Sequence, residues 1–141
     1  MKKFLLSLTF ICGIIGSGIA QDNNLLQGVW KLHKSKNQVG TEQEVPPVFY
    51  KFYQLDGSFS NLQLRQNGLT PSHKGIFNLD TSTDSYIEEV KESQNTLSGP
   101  VTAKNKLKLT FTEDKKSFTV QGTIQVNNGT FELYEIWTKI D

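Results

Sequence analysis

Two glutamates on predicted β-strands are the residues in this sequence best suited to bind a polar group. Side chains alternate between the two faces of a strand, so Glu88 shares a face with Tyr86 and Val90. By the same rule, Glu135 shares a face with Trp137. A carboxylate on an apolar, inward face must be paired, hydrogen-bonded or hydrated, because an isolated buried charge is very costly. We therefore expect these carboxylates to orient a ligand's polar end, to form a structural pair, or to face outward after a β-bulge.

Polar and aromatic residues on other predicted strands could complete such a binding site. Arg65 and His73 could contact the polar end of a ligand, although a solvated histidine at the barrel rim is the simpler interpretation of His73. Aromatic side chains on the same strands supply apolar surface for the rest of the ligand. The complete set that we predict to bind ligand is Tyr50, Phe52, Arg65, His73, Phe77, Tyr86, Glu88 and Glu135.

Catalytic chemistry has few candidates in this sequence. Cys12 is the only cysteine, and His33 and His73 are the only histidines. The sequence contains no H-E-x-x-H zinc motif, no G-x-S-x-G nucleophile motif and no phosphate-binding loop. We therefore predict that the protein is not an enzyme and that it has no cofactor.

One acidic segment resembles the start of a calcium-binding loop. Asp80, Ser82 and Asp84 have the spacing of the first three ligands, but Ser85 replaces the expected glycine and Lys91 replaces the expected bidentate glutamate. Short oxygen-bearing side chains at this spacing are also typical of an ordinary turn. We predict a hairpin turn here and no metal site.

Residues 1–20 have the features of a secretory signal peptide. Lys2 and Lys3 form a positively charged start, residues 4–15 are mostly apolar, and Gly18-Ile19-Ala20 places small residues at a cleavage site. The apolar run is shorter than the roughly 20 residues that a membrane-spanning helix needs. We therefore expect cleavage near Ala20, a secreted or periplasmic protein, and no membrane insertion after cleavage.

Residues 21–141 are predicted to form one domain. When the signal is removed, the 15 basic residues lose Lys2 and Lys3, and the 14 acidic residues are then in slight excess. A balanced charge of this kind gives no electrostatic footprint for nucleic acid or for anionic membranes. The sequence makes no prediction of the oligomeric state.

The domain has the pattern of short strands joined by turns. Asp56-Gly57 and Asn127-Asn128-Gly129 are typical hairpin turns, and residues 34–44 are predicted to be a polar connection. Strands are predicted at residues 26–33, 48–55, 58–65, 73–79, 85–92, 106–112, 117–126 and 130–140. An even number of antiparallel neighbours can close, which removes exposed edges. We therefore predict an all-β fold: a closed or nearly closed eight-stranded antiparallel up-and-down barrel.

Gly28 and Trp30 on the first strand, with Trp137 near the end of the last, resemble the lipocalins of the calycin superfamily. More narrowly, the chain is similar to short secreted lipocalin-like domains of uncharacterised function in Bacteroides-type bacteria. The resemblance implies that the first tryptophan closes one end of the barrel beneath an arginine of the last strand. Here the only arginine is Arg65, and the last strand has Lys139 instead, so the lid is Lys139, Trp137 or Arg65. We assign Gly28, Trp30, Trp137 and Lys139 to barrel closure.

Small closed barrels can hold one small ligand. We expect a secreted, non-enzymatic barrel that binds a small apolar or amphipathic molecule in its interior, with both tryptophans in the core and away from the ligand. The alternative is an envelope-associated protein-interaction module that uses the outer barrel surface and has no internal ligand. That alternative depends on Phe49, Tyr53, Tyr134 and Ile136, which the predicted alternation places on outer faces.

Overall fold

The computed structural model describes residues 22–36, 40–93, 103–126 and 129–140 of the chain. The predicted signal peptide lies outside these residues. Within the described ranges, no helix is long and apolar enough to span a lipid bilayer. A 3-10 helix, Asn24–Leu26, precedes the strands. The strands are β1 (Gly28–Lys36), β2 (Glu42–Glu44), β3 (Phe49–Tyr53), β4 (Ser58–Arg65), β5 (Gly68–Asp80), β6 (Ser85–Ser93), β7 (Ala103–Phe111), β8 (Ser117–Val126) and β9 (Gly129–Lys139).

Eight of these strands form a closed antiparallel up-and-down barrel. Strand β1 pairs with β3, each strand from β3 to β8 pairs with the next, and β9 pairs with β1 to close the sheet. This confirms the predicted fold class. The predicted inward faces of β6 and β7 are also confirmed: Tyr86 and Val90 are buried on β6, and Leu107 and Leu109 are buried on β7.

Strand β2 is an addition to the barrel that the sequence did not predict. It pairs with β1 through Lys34, Ser35 and Lys36, beyond the point where β3 stops pairing with the same edge. Lys34 lies 3.0 Å from Glu42 and 3.6 Å from Glu44, measured between the ammonium nitrogen and the carboxylate oxygens. Part of the predicted polar connection is therefore a short strand held by exposed ion pairs.

Strand β5 begins at Gly68, earlier than the predicted start at residue 73, and it contains Pro71. The register with β4 shifts here, because Asn61 pairs with His73 while Leu62 pairs with Pro71, which leaves Ser72 without an opposite residue. Proline is tolerated in a strand at such a bulge, where a ladder hydrogen bond is already missing. The proline therefore does not end the strand.

The faces of β3 are the reverse of those that the sequence analysis assumed. Tyr53 is only 1% exposed and Lys51 is buried, whereas Phe52 is 38% exposed on the outer face. The prediction that Tyr53 faces outward is therefore wrong. The aromatic residues alternate with period two on both faces of this strand, so their hydrophobicity alone does not fix which face lies inside.

Trp30 closes one end of the barrel. Its side chain is fully buried, and its indole nitrogen donates a hydrogen bond of 2.7 Å to the carbonyl oxygen of Leu26 in the 3-10 helix. Phe118 packs edge-on against it, with 4.6 Å between ring centroids. The ammonium nitrogen of Lys139 lies 5.4 Å from the Trp30 ring centroid. Of the three lids that the sequence left open, the structure therefore places Lys139 over this tryptophan.

Gly28 lies beside that lysine and has a backbone conformation that favours glycine. It adopts a φ of +117°, which favours glycine, and a Cβ atom added to it would lie 3.4 Å from the Cε atom of Lys139. A larger residue would therefore strain the backbone, whereas its Cβ atom would only contact the lysine side chain. The Gly-x-Trp motif thus combines a permissive backbone position with the ring that the lysine covers.

Replacing Lys139 with glutamine tests the cation over Trp30. We expect Lys139→Gln to lower the free energy of unfolding by about 0.5–1 kcal/mol, because the ring loses a cation–π contact. Urea unfolding followed by tryptophan fluorescence measures this change. Lys106→Gln, at an exposed position of β7, is the matched control and should change stability by less than about 0.5 kcal/mol. Equal effects of the two substitutions would contradict the assignment.

Candidate functional site

A cavity of about 360 Å³ lies in the barrel away from the end that Trp30 closes. On two of the strands, its lining residues lie two positions away from residues of the closed end. Leu32 lines it on β1 and Trp137 on β9, whereas Trp30 and Lys139 of the same strands belong to the closed end. The barrel interior is therefore divided into two parts. One is an aromatic plug, formed by the packed rings of Trp30, Phe118 and Tyr53, and the other is an open cavity.

The cavity combines apolar walls with polar side chains. The apolar wall residues include Leu32, Val90, Leu107, Val120 and Ile124. The polar or charged lining residues include Lys51, Asn61, His73, Glu88 and Glu135. This is the usual composition of a small-molecule site, where apolar surface is supplemented by a few polar groups that fix orientation.

A buried ion pair lies at the base of the cavity. The Lys51 ammonium nitrogen is 2.6 Å from Oε2 of Glu88, and both residues are about nine-tenths buried or more. The Tyr86 hydroxyl donates a 2.6 Å hydrogen bond to the same carboxylate oxygen, and the Tyr53 hydroxyl lies 3.0 Å from that of Tyr86. The pair is therefore hydrogen-bonded as well as charge-balanced, which a buried pair requires.

Lys51 stays charged despite its burial. Burial alone would lower its pKa, but the negative charge of Glu88, followed by those of Tyr53 and Glu135 when ionised, raises the pKa above the ordinary lysine value. The ammonium nitrogen also lies 5.1 Å from the Phe59 ring centroid. Aromatic faces attract a cation, so this ammonium has partners besides the carboxylate.

Glu135 is the second carboxyl group in the cavity, and it differs from Glu88 in its partners. The indole nitrogen of Trp137 donates a 2.9 Å hydrogen bond to Oε2 of Glu135. Burial raises the pKa of Glu135, and the charge of Lys51 opposes that change without cancelling it. Among the described residues, Glu135 forms no salt bridge within 4.0 Å. The cavity therefore contains one carboxyl group without a direct cationic partner.

Asn61 lines the same cavity and carries a buried acceptor beside it. Its side-chain oxygen is buried and has no hydrogen-bond partner within the described part of the chain. An unsatisfied buried acceptor costs about 1–3 kcal/mol, so such an atom favours a donor that enters the cavity. Nearby, burial lowers the pKa of His73, whose Nδ1 atom lies 3.2 Å from the Ser72 hydroxyl. His73 is therefore neutral at pH 7.

Four of the eight residues predicted to bind ligand line the cavity: Tyr50, His73, Glu88 and Glu135. The two remaining buried residues, Phe77 and Tyr86, belong to the hydrophobic core. Tyr86 supports the site indirectly through its hydrogen bond to Glu88. Whether the four lining residues bind a ligand remains a prediction.

The last two predicted binding residues lie outside the cavity. Phe52 is on the outer face of β3, and Arg65 is exposed at the end of β4, where its guanidinium donates to the Gln63 side-chain oxygen at 3.0 Å. Trp137 also differs from expectation, because it lines the cavity instead of closing the barrel with Trp30. The predicted closure set is therefore reduced to Gly28, Trp30 and Lys139.

Sequence reasoning missed Lys51 and Asn61. A lysine within an aromatic strand suggests solvent exposure, since a lysine is almost never fully buried unless paired. The signal that could have found it is charge complementarity: a glutamate on one inward face needs a cation on another. Asn61 carries no comparable signal, because its burial depends on the bulge between β4 and β5.

The acidic segment after β5 is a turn, as predicted. The Asp80 carboxylate accepts hydrogen bonds from the Ser82 backbone nitrogen at 3.0 Å, the Ser82 hydroxyl at 2.6 Å and the Thr83 hydroxyl at 2.9 Å. Its oxygens therefore have partners within the turn. In the described ranges, no three His, Cys, Asp or Glu side chains are grouped as metal ligands.

The outer-surface alternative loses two of its four residues, because the reversed faces of β3 turn both Tyr53 and Phe49 inward. Tyr53 is buried, and Phe49, although 38% exposed, lines the cavity. Tyr134 and Ile136 remain on the outer face of β9 and are half-buried. The Lys36 ammonium nitrogen lies 4.1 Å from the Tyr134 ring centroid, so part of that ring is already covered.

Removing the cation of the buried pair should be costly. We expect Lys51→Met to lower the free energy of unfolding at pH 7 by about 3–5 kcal/mol, because Glu88 is then buried without a counter-charge. The Lys51→Met/Glu88→Gln double variant should recover part of the loss, since the amide oxygen still accepts from Tyr86. Urea unfolding of the native protein, both single variants and the double variant measures the coupling. Simple addition of the two single losses would contradict this.

The raised pKa of Glu135 predicts a pH-dependent change in stability. Folding raises this pKa, so the contribution of the group is fully present below the ordinary value of 4.5 and is lost as pH rises through the folded pKa. We expect Glu135→Gln to gain stability relative to the native protein as pH rises from 4 to 8, by at most about 1.4 kcal/mol per pH unit. Urea unfolding across this range measures the difference. Glu113→Gln, in the exposed turn before β8, is the control, and a pH-independent difference for Glu135→Gln would contradict the prediction.

Comparison with known families gives one match that covers most of the chain. A family described as "Domain of unknown function (DUF4488)" matches residues 25–141, which includes every strand of the barrel. No curated protein matches the sequence. The eight-stranded barrel fits a lipocalin-like fold. Because the match covers more than half of the chain, the protein belongs to the DUF4488 family.

Proposed function

We propose that this protein is a secreted, non-enzymatic, lipocalin-like barrel that binds one small apolar or amphipathic molecule in its cavity. The observation that carries the proposal is the cavity itself, with about 360 Å³ of space between apolar walls and a polar base. That volume is near the lower end of the roughly 300–1,000 Å³ typical of ligand pockets. A small ligand is therefore favoured over a lipid with several long chains.

The affinity would come mainly from desolvation of apolar surface. Each square ångström of apolar surface removed from water contributes about 25 cal/mol. The walls of the cavity belong to paired strands of a closed sheet, so they are held in place before a ligand enters. A preformed site loses less conformational entropy on binding, which favours affinity.

The polar base would set the orientation of the ligand. Glu88 is already bound by Lys51 and Tyr86, whereas Glu135 and Asn61 retain free acceptor capacity. A polar ligand end that satisfies these groups would lie at the base, with the apolar part of the ligand along the walls. An apolar ligand without such a group would form no hydrogen bond with these acceptors, which would then need water molecules as donors.

The lipocalin-like and secretory parts of the proposal have separate support. The Gly28-x-Trp30 motif lies at the closed end beneath a cation from the last strand, as the resemblance to lipocalins implies, although that cation is a lysine. The similarity to Bacteroides-type secreted domains adds to this part of the proposal. The sequence features of residues 1–20 support export with cleavage near Ala20.

Binding of a neutral fluorescent probe tests the proposal. The sample is the protein that a bacterial host produces from the full chain, and its intact mass reports whether residues 1–20 have been removed. We expect N-phenyl-1-naphthylamine to bind one-to-one with increased emission and to raise the melting temperature. Ala103→Trp should weaken binding at least tenfold, because Ala103 lines the cavity.

Lys104→Trp is the matched control for that variant. Lys104 is the next residue on β7 and points outward, so a tryptophan there leaves the cavity unchanged. Equal binding by the Ala103→Trp and Lys104→Trp variants would place the probe outside the barrel. Absence of binding by this probe and by straight-chain alcohols would overturn the proposed function.

A further inference from the structure

We propose that the cavity selects an amphipathic ligand whose polar end is an ammonium group, which the Glu135 carboxylate holds at the base of the barrel. This inference rests on the proposed function and specifies the class of its ligand. It follows from the charges at the base of the cavity, from the acceptors that lack partners, and from the satisfied state of the only buried cation in the described residues.

The base of the cavity holds one carboxyl group that has no direct cationic partner among the described residues. Lys51 and Glu88 neutralise each other at 2.6 Å. Glu135 is the additional carboxyl group, and the neutral indole of Trp137 is its hydrogen-bond partner. A cation in the cavity would favour the ionised form of Glu135 and pair with it, whereas an anion would meet two carboxyl groups and a lysine that is already paired. Pairing a desolvated charge is worth far more than pairing a solvated one.

The hydrogen-bonding groups of the lining point to the same class of ligand. The buried side-chain oxygen of Asn61 has no donor within the described residues. A carboxylate offers about four acceptor sites on two oxygens, and Glu135 uses one of them for Trp137. The unmet demand of the cavity is therefore for donors. An ammonium group supplies three donors and no acceptor.

Lys51 is poorly placed to bind an anionic ligand instead. Its ammonium nitrogen contacts Glu88 and lies 5.1 Å from the Phe59 ring centroid and 5.5 Å from that of Trp137. An anion would have to compete with a carboxylate that Tyr86 already holds in position at 2.6 Å. His73, the other basic side chain of the lining, is uncharged at pH 7 because burial lowers its pKa. Among the described residues, the lining of the cavity thus offers no free cation to an acid.

Octylamine, 1-octanol and octanoic acid test the inference, because they share one apolar chain and differ only in the polar end. Displacement of N-phenyl-1-naphthylamine at pH 7 gives the three affinities. We expect octylamine to bind about tenfold more tightly than 1-octanol and octanoic acid to bind more weakly than both. Glu135→Gln should abolish the preference for octylamine over 1-octanol, because the affinity for octylamine should fall by a much larger factor than that for 1-octanol. Glu113→Gln should change none of the three.

Other outcomes separate this inference from the proposed function. Tighter binding of octanoic acid than of octylamine would overturn the ammonium assignment and would show that the cavity recognises an anion. Equal affinities for all three would also overturn it, because binding would then be purely apolar. In both cases the cavity still binds a ligand, so the proposed function stands. Asn61→Leu is a second variant, at a different position from Glu135. It should weaken octylamine binding more than 1-octanol binding.

Discussion

The ion pair between Lys51 and Glu88 is the interaction on which the interior of this barrel depends. It joins β3 to β6 through a contact of 2.6 Å, and it fixes which face of an otherwise ambiguous aromatic strand lies inside. A buried pair of this kind is often no more stabilising than apolar residues of the same volume. Stability alone therefore does not account for it. Its position at the base of the cavity gives it a different role, as the support of a polar surface.

The barrel divides its interior between stability and binding. Trp30, Phe118 and Tyr53 fill the closed end with aromatic rings in edge-on contact, and the short helix covers them through Leu26. Such tightly packed rings provide large buried areas. The opposite end keeps its space, because most of the residues that line it are aliphatic or polar. The aromatic plug thus stabilises a barrel whose other half remains partly empty.

The strands and most of their faces could be predicted from the sequence, and the centre of the site could not. Alternation on β6 and β7 is unambiguous, so Glu88 was placed inside correctly together with Tyr86 and Val90. On β3 both faces are aromatic, and the residue that decides between them is a lysine, which composition alone assigns to solvent. Its burial depends on a carboxylate 37 positions away in sequence. A local sequence pattern cannot show that a lysine and a glutamate so far apart in the chain will neutralise each other's charge.

Strand β2 has a consequence for the behaviour of the protein in a crowded solution. An unpaired strand edge is a template on which another chain can add its own strand. Strand β3 covers one edge of β1 only as far as Lys31, and β2 resumes that cover from Lys34 to Lys36. The edge that remains free is three residues long and bears Glu42 and Glu44. A second copy could pair with only these three residues, and their glutamates already form ion pairs with Lys34, so this edge offers little to an added strand.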